Sequence, residues 1–125
     1  MTRKTKGQVE AEISQAVVKF ELEYMGRGPS DVRTRLLQDM IVVRLQGILT
    51  PAERQLVKVE GVELIKQVRA KLLETGKSAL KQSMEEITGL SAVSMHADLS
   101  TTTGERVILF VMADNVEEKF GGLRR

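Results

Sequence analysis

A chain of 125 residues that is 42% hydrophobic can bury one core, but it is too short for a second domain. Its 19 lysines and arginines against 17 aspartates and glutamates leave a net charge of +2, which is too small to imply an obligate polyanion partner. Because cysteine is absent, the sequence excludes disulfides, thiolate nucleophiles, zinc–cysteine sites and iron–sulfur clusters.

The N-terminal segment, residues 1–7, is predicted to be a basic arm that carries Arg3, Lys4 and Lys6. It lacks the apolar region of a signal peptide, and no apolar run in the chain reaches the roughly 18 residues of a membrane-spanning helix. We therefore expect a cytoplasmic protein without direct membrane insertion.

The first predicted helix runs from about Gln8 to Tyr24, because apolar residues recur there at steps of three and four while glutamates occupy the outer face. Gly26-Arg27-Gly28-Pro29 should end this helix, since glycine adopts the left-handed cap conformation and proline cannot continue a helix. A basic residue in a glycine-rich loop could also contact nucleic-acid phosphates. Sheet recognition of single strands would need stacking aromatics, however, so we favour the helix cap and do not expect nucleic-acid binding.

The segments 32–37 and 40–46 are β-prone, and Gln38 and Asp39 separate them. We predict a hairpin, although the turn lacks the usual glycine and a single continuous strand is the alternative.

The predicted hairpin places three arginines on one face, because Arg33 pairs with Arg44 and Arg35 pairs with Val42. Guanidinium groups directly across a hairpin repel each other and need a counter-charge. That charge could come from Asp31 or Asp98, from a carboxylate of a partner subunit, or from a small anion. We favour a salt bridge and treat Arg33, Arg35 and Arg44 as candidate contacts for an anion or a partner.

The segment Thr50-Pro51-Ala52-Glu53 is a strong helix start, with a hydroxyl N-cap, proline at the first position and glutamate at the third. After a possible break at Gly61, the helical pattern continues over residues 62–88, which is roughly 40 Å of helix. That length exceeds the dimensions of a domain of this size, whose radius of gyration is about 14 Å. Either Gly76 kinks the helix or the excess packs on a second subunit, and we expect a homodimer.

Gly76-Lys77-Ser78 resembles the end of a phosphate-binding P-loop. The loop requires a glycine five residues earlier, where this chain has Lys71, and the segment lies inside a helical pattern. We reject a nucleotide site there.

A second hairpin is predicted from residues 93–100 and 106–112. The run from Val107 to Met112 is apolar at every position, which favours a central strand buried on both faces. The neighbouring strand alternates, so one of its faces should be wet. Beyond Ala113, residues 114–125 lose periodicity and are predicted to form a short helix and a frayed tail.

His96 and Asp98 point to the wet face of that strand. A histidine beside a carboxylate could act as a general base or a metal ligand. No second histidine or cysteine completes a zinc set, and no nucleophile is marked. We predict no catalytic residue, no metal site and no cofactor, and treat the pair as a candidate pH-sensitive contact.

A helix followed by a hairpin is thus predicted twice in the chain. The glycines between helix and hairpin, Gly28 and Gly89, are about sixty residues apart. We predict a single α+β domain over residues 1–125, with an α-β-β-α-β-β plan. Its four-stranded sheet should be mostly antiparallel, with helices on one face and a long second helix.

Three segments also resemble the MpsC-type family of small bacterial proteins: residues 7–56, 61–74 and 87–112. The resemblance is most specific at Gly26-Arg27-Gly28-Pro29, Leu49-Thr50-Pro51-Ala52-Glu53 and Thr103-Gly104-Glu105-Arg106-Val107. It implies a non-enzymatic accessory or regulatory component of a membrane-potential-generating system linked to ion and inorganic-carbon uptake, with a transport-system protein as a partner. The alternatives are a nucleic-acid-binding module and a small-anion-binding regulator.

Overall fold

The computed structural model describes residues 4–121, which form one antiparallel sheet with helices packed on one face. In chain order the elements are α1 (Lys6–Phe20), a π-helical turn (Glu21–Met25), β1 (Asp31–Leu37), β2 (Met40–Gln46), α2 (Pro51–Glu60), α3 (Val62–Thr75), α4 (Lys77–Thr88), β3 (Ala92–Ser100), β4 (Glu105–Met112) and α5 (Val116–Gly121). The predicted α+β class and the repeated helix-hairpin plan are confirmed.

The sheet has the strand order β1-β2-β4-β3, and every neighbouring pair is antiparallel. The first hairpin has the predicted register, with Leu37 opposite Met40, so the alternative of one continuous strand is wrong. Gln38 supplies the left-handed conformation of the tight turn, with a φ of 58°, although it is not glycine. The two hairpins meet through their inner strands, β2 and β4.

The core lies between the sheet and the helices, and α1 and α4 pack against each other above it. On the opposite side of the sheet, which we call the open face, none of the helices in residues 4–121 packs. Val107 of the central strand β4 faces this side and is 37% exposed. The prediction that the strand is buried on both faces is therefore wrong for the single chain, because the helices within residues 4–121 cover one face of the sheet.

The first helix differs from the prediction at both ends. It begins at Lys6, where Thr5 and Gln8 form a capping box, so the last two residues of the predicted basic arm are helical. At Glu21 the α-helix passes into the π-helical turn, which ends at Gly26. Residues 1–3 of the predicted arm and 122–125 of the predicted tail lie outside the described residues, while α5 accounts for the short terminal helix.

The predicted long helix is divided at Gly76 between α3 and α4, which confirms the predicted kink, while the homodimer stays a prediction. Gly76 lies at the junction for a packing reason, because a Cβ there would stand 2.2 Å from Cε1 of Phe20. The Phe20 ring stacks on Tyr24 with 4.4 Å between centroids, which limits its freedom to move aside. The chain also breaks at Gly61, as anticipated, between α2 and α3.

Candidate functional site

The five residues selected from the sequence all belong to the open face, but they form two groups on opposite sides of it. Arg33 and Arg35 lie on the edge strand β1, and Arg44 lies next to them on β2. His96 and Asp98 lie on the other edge strand, β3. Since neighbouring strands are about 4.8 Å apart, roughly 14 Å separate the two edges, and the structure does not join these residues into one site.

The arginines have partners within the chain. Arg33 Nε donates to Asp31 Oδ2 at 3.1 Å, and Arg44 Nε donates to Glu105 Oε2. Arg35 Nη1 donates to the carbonyl oxygen of Thr34 at 2.9 Å. The predicted pairing of Arg33 with Arg44 is confirmed, and nearby carboxylates offset the repulsion between them.

His96 and Asp98 are both exposed. The backbone N–H of Leu99 donates to Asp98 Oδ1 at 2.8 Å, and this bond, together with the charge of Lys66 at 3.5 Å, lowers the pKa of Asp98. Among residues 4–121, no group of three or more histidines, cysteines, aspartates or glutamates is placed to hold a metal ion.

The other face of the sheet holds an arrangement that sequence reasoning missed. Glu21, Glu53, Arg69 and Arg106 form what we call the buried ionic network. Glu21 and Arg106 are each 1% exposed, and Arg69 is 3% exposed. Charged side chains are almost never buried this deeply without partners, so their pairing decides whether the fold tolerates them.

Two ion pairs make up the network. Arg106 Nη1 donates to Glu21 Oε2 at 2.9 Å. Arg69 holds Glu53 with two bonds, from Nε at 2.8 Å and from Nη2 at 2.6 Å, and its Nη2 also reaches the carbonyl oxygen of Ile48 at 2.7 Å. The fork of the guanidinium matches a carboxylate, which makes such paired bonds strong.

The two pairs approach each other without closing. Arg69 Nη1 and Glu21 Oε1 are 4.0 Å apart, and neither atom has a hydrogen-bond partner among the described residues. A buried polar atom without a partner costs about 1–3 kcal/mol. The network therefore retains one donor and one acceptor that are not used within the described chain.

Each member of the network is positioned by local structure. Glu21 opens the π-helical turn, and such turns recur at functional sites. Glu53 is the third residue of α2 and also returns a hydrogen bond to its N-cap, Thr50. Arg69 lies one turn from both Ile65 and Leu73 on the buried side of α3. Arg106 enters from β4 and faces the helices.

The buried environment shifts the pKa values of side chains in the network. Burial raises the pKa of Glu21, and attraction to Arg106 and Arg69 offsets only part of that effect. Burial likewise lowers the pKa of Arg106. Burial also acts to raise the pKa of Glu53, but hydrogen bonds from Arg69 and the backbone of Thr50 outweigh it, so that pKa is lowered.

A cleft of about 380 Å³ opens beside the network, between α3 and the β3–β4 side of the sheet. Arg69 and Arg106 line its buried end, apolar side chains form its walls, and Lys66 lies at its rim; the wall residues include Leu73, Met95 and Leu99. Guanidinium N–H groups beside apolar walls are suited to hold the carboxylate or phosphate of a small molecule.

Comparison with known proteins gives one family and two similar chains. A family model described as "Na+-translocating membrane potential-generating system (MpsC)" matches residues 5–114. A Bacillus subtilis (strain 168) protein, "Uncharacterized protein YbcI", is 45% identical over 117 residues, which cover 93% of this chain and 94% of YbcI. "Uncharacterized protein YrhF" of the same organism is 26% identical over 110 residues, covering 86% of this chain and 90% of YrhF. No solved structure gives a significant match.

Proposed function

Since the chain belongs to the family described as the Na+-translocating membrane potential-generating system (MpsC), we propose that it serves such a system as a non-enzymatic accessory or regulatory component in the cytoplasm. The match over residues 5–114 carries this proposal, because it spans nearly the whole folded chain. In residues 4–121 there is no helix with the length and apolar character needed to cross a membrane.

An exposed apolar surface on α2 and α3 supports a role in binding another protein. No residue of α2 is buried, and Val59 on this helix is 70% exposed. On α3, three apolar residues at four-residue spacing lie next to the buried side of the helix and are exposed: Leu64, Val68 and Leu72. Contiguous exposed apolar surface is typical of protein contact sites. We assign this α2–α3 surface to a protein of the transport system.

Host cells that lack the chain provide the test. We expect deletion to reduce the Na+-dependent part of the membrane potential, measured with a potential-sensitive dye. Wild-type chain and Gln55→Asp should restore it, whereas Val59→Asp should not. Both variants place one new negative charge at an exposed position of α2, so only the apolar contact distinguishes them. Pull-down from native membranes, with mass spectrometry, should recover the system's proteins with Gln55→Asp and not with Val59→Asp.

An unchanged Na+-dependent potential after deletion would contradict the accessory role. Equal rescue by Val59→Asp and Gln55→Asp would contradict the assignment of the α2–α3 surface while leaving the role intact.

The cleft supports a second candidate, a regulator that binds a small organic anion. Within the described chain, the side-chain hydrogen bond of Arg106 goes to Glu21 alone, although a guanidinium carries five N–H donors, and Arg69 Nη1 has no hydrogen-bond partner. Glu63, Glu74 and Asp98 also line the cleft, so its charge is mixed and it should favour a single acidic group over a polyanion.

Thermal unfolding tests this candidate with short aliphatic carboxylates and organic phosphates. A ligand that binds only the native state raises the melting temperature in a saturable way. Lys66→Met should weaken this response, while Lys58→Met, on the exposed surface of α2, should not. No saturable rise with any of these probes would contradict the anion-binding role.

A further inference from the structure

The open face of the sheet is an apolar surface that the described part of the chain does not cover. Residues that lie opposite one another on the four strands form rows across this face, and the strand register shows which residues share a row. In each of these rows the two middle positions belong to β2 and β4. All of them except Arg44 are apolar: Met40, Val42, Val107, Leu109 and Val111. Val107 is 37% exposed even though it belongs to a central strand. Central strands with apolar side chains on both faces are typical of sheets that are covered on both sides.

The charges on this face have opposite signs at its two edges. One row runs across the sheet in the order Arg33, Arg44, Val107, Asp98. Arg44 is neutralised by Glu105 on β4, so the row has a positive end on β1 and a negative end on β3. The next row places Arg35 on the first edge and His96 on the other.

This pattern is complementary to itself. Consider a two-fold axis that runs parallel to the strands, above the open face and over the line between β2 and β4. Rotation about this axis brings the β1 edge of one chain over the β3 edge of the other and keeps each residue in its own row. Arg33 of each copy then faces Asp98 of its partner, and Val42 faces Leu109. Sheets packed face to face lie about 10 Å apart, a gap that an arginine and an aspartate can bridge together.

We propose that the open face binds a second copy of this chain, in a two-fold sandwich of the two sheets with paired Arg33–Asp98 contacts between subunits. Two observations identify the occupant. The surface can pair with itself, since the two-fold rotation brings the opposite charges of Arg33 and Asp98 together and places apolar middle positions such as Val42 and Leu109 over one another. The end residues are also free to turn toward a partner, because the side chains of Arg33 and Asp98 are 66% and 85% exposed despite their contacts with Asp31 and Lys66.

Exchange of the two charges provides a direct test by light scattering. The wild-type chain should have about twice the 13.9 kDa chain mass at micromolar concentration. Arg33→Glu places two glutamate–aspartate contacts in the dimer, and Asp98→Arg places two arginine–arginine contacts there, so each variant alone should be monomeric. An equimolar mixture of the two should regain the dimer mass, because every contact between the unlike chains is then attractive.

Two variants with the same charge changes away from the open face serve as controls. Arg27→Glu, in the exposed loop after the π-helical turn, and Glu60→Arg, at the exposed end of α2, should both remain dimeric. Far-ultraviolet circular dichroism should show that the monomeric variants are folded. A monomeric wild type, a dimer that survives both single changes, or a mixture that stays monomeric would overturn the proposal, and the second result would favour an interface on the α2–α3 surface.

Discussion

Replacement of Arg106 by methionine removes one buried guanidinium and leaves the carboxylate of Glu21 without its partner at 2.9 Å. Methionine suits the apolar surroundings of β4, so the lost charge should dominate the effect. Removing one member of a buried ion pair typically costs about 3–5 kcal/mol. Arg69 Nη1 lies 4.0 Å from Glu21 Oε1 and still provides a positive charge near it, which places our expectation near the lower limit, about 3 kcal/mol.

Urea unfolding followed by far-ultraviolet circular dichroism measures this cost, since the chain contains no tryptophan for fluorescence. All variants should be compared at one protein concentration, because association would make stability depend on concentration. Lys6→Met is the matched control: it breaks the ion pair with Glu117, whose side chains are partly exposed and lie outside the open face, and such pairs contribute about 1 kcal/mol or less.

A double variant separates the contribution of the ion pair to stability from that of side-chain packing. Glu21→Gln together with Arg106→Met removes both charges of the pair, so it should lose less stability than the sum of the two single changes. If Arg106→Met costs under about 1 kcal/mol, or if the two single costs simply add, the ion pair between Glu21 and Arg106 does not stabilise the fold.

Three further predictions concern Glu21, Gly76 and Thr50. A carboxyl whose pKa is raised by folding contributes stability below its unfolded value of 4.5 and loses that contribution as pH rises through the folded pKa. The stability of Glu21→Gln relative to wild type should therefore increase with pH across that interval. Gly76→Ala should cost about 1–3 kcal/mol, because the new Cβ would stand 2.2 Å from Phe20. Thr50→Ala should cost about 1 kcal/mol through loss of the N-cap of α2.

Urea unfolding at a series of pH values checks the first of these, and a constant difference between the two proteins would contradict it. Gly7→Ala is the control for Gly76, since a Cβ at Gly7 meets nothing within 4 Å and alanine favours a helix; equal effects at the two glycines would exclude a packing cause. Thr102→Ala, in the exposed loop before β4, should change stability by under about 0.5 kcal/mol, and an equal loss at Thr50 and Thr102 would rule out the cap.

Local signals predicted most of the fold. The first hairpin and its register followed from alternation over a few residues, and the start of α2 followed from its capping box. The side of α3 that faces the core was less well predicted. The apolar pattern included Val68 and Leu72, which are exposed, whereas Arg69 is buried between Ile65 and Leu73. An arginine breaks a hydrophobic pattern, and only its distant partner explains its position.

The buried ionic network could not be predicted because its contacts are not local. Glu21 resembled the other glutamates of an acidic helix face, and its partner Arg106 is far along the chain. A regular helix period places Glu21 one turn after buried Val17, at the margin of the apolar stripe, but a glutamate there is indistinguishable from those of the outer face. The charged residues that sequence reasoning selected were those on exposed strands, where alternation alone assigns a face.

The meeting of β2 with β4 has a consequence for synthesis of the chain. The first hairpin emerges from the ribosome early, but β2 cannot find its neighbour until α2, α3, α4 and β3 have been made, which takes several seconds at roughly 5–20 residues per second. During that interval the inner edge of β2 offers unpaired backbone groups to any nascent chain beside it. Strand exchange between chains is therefore the characteristic misfolding risk of this topology, and rapid docking of the second hairpin is the step that limits it.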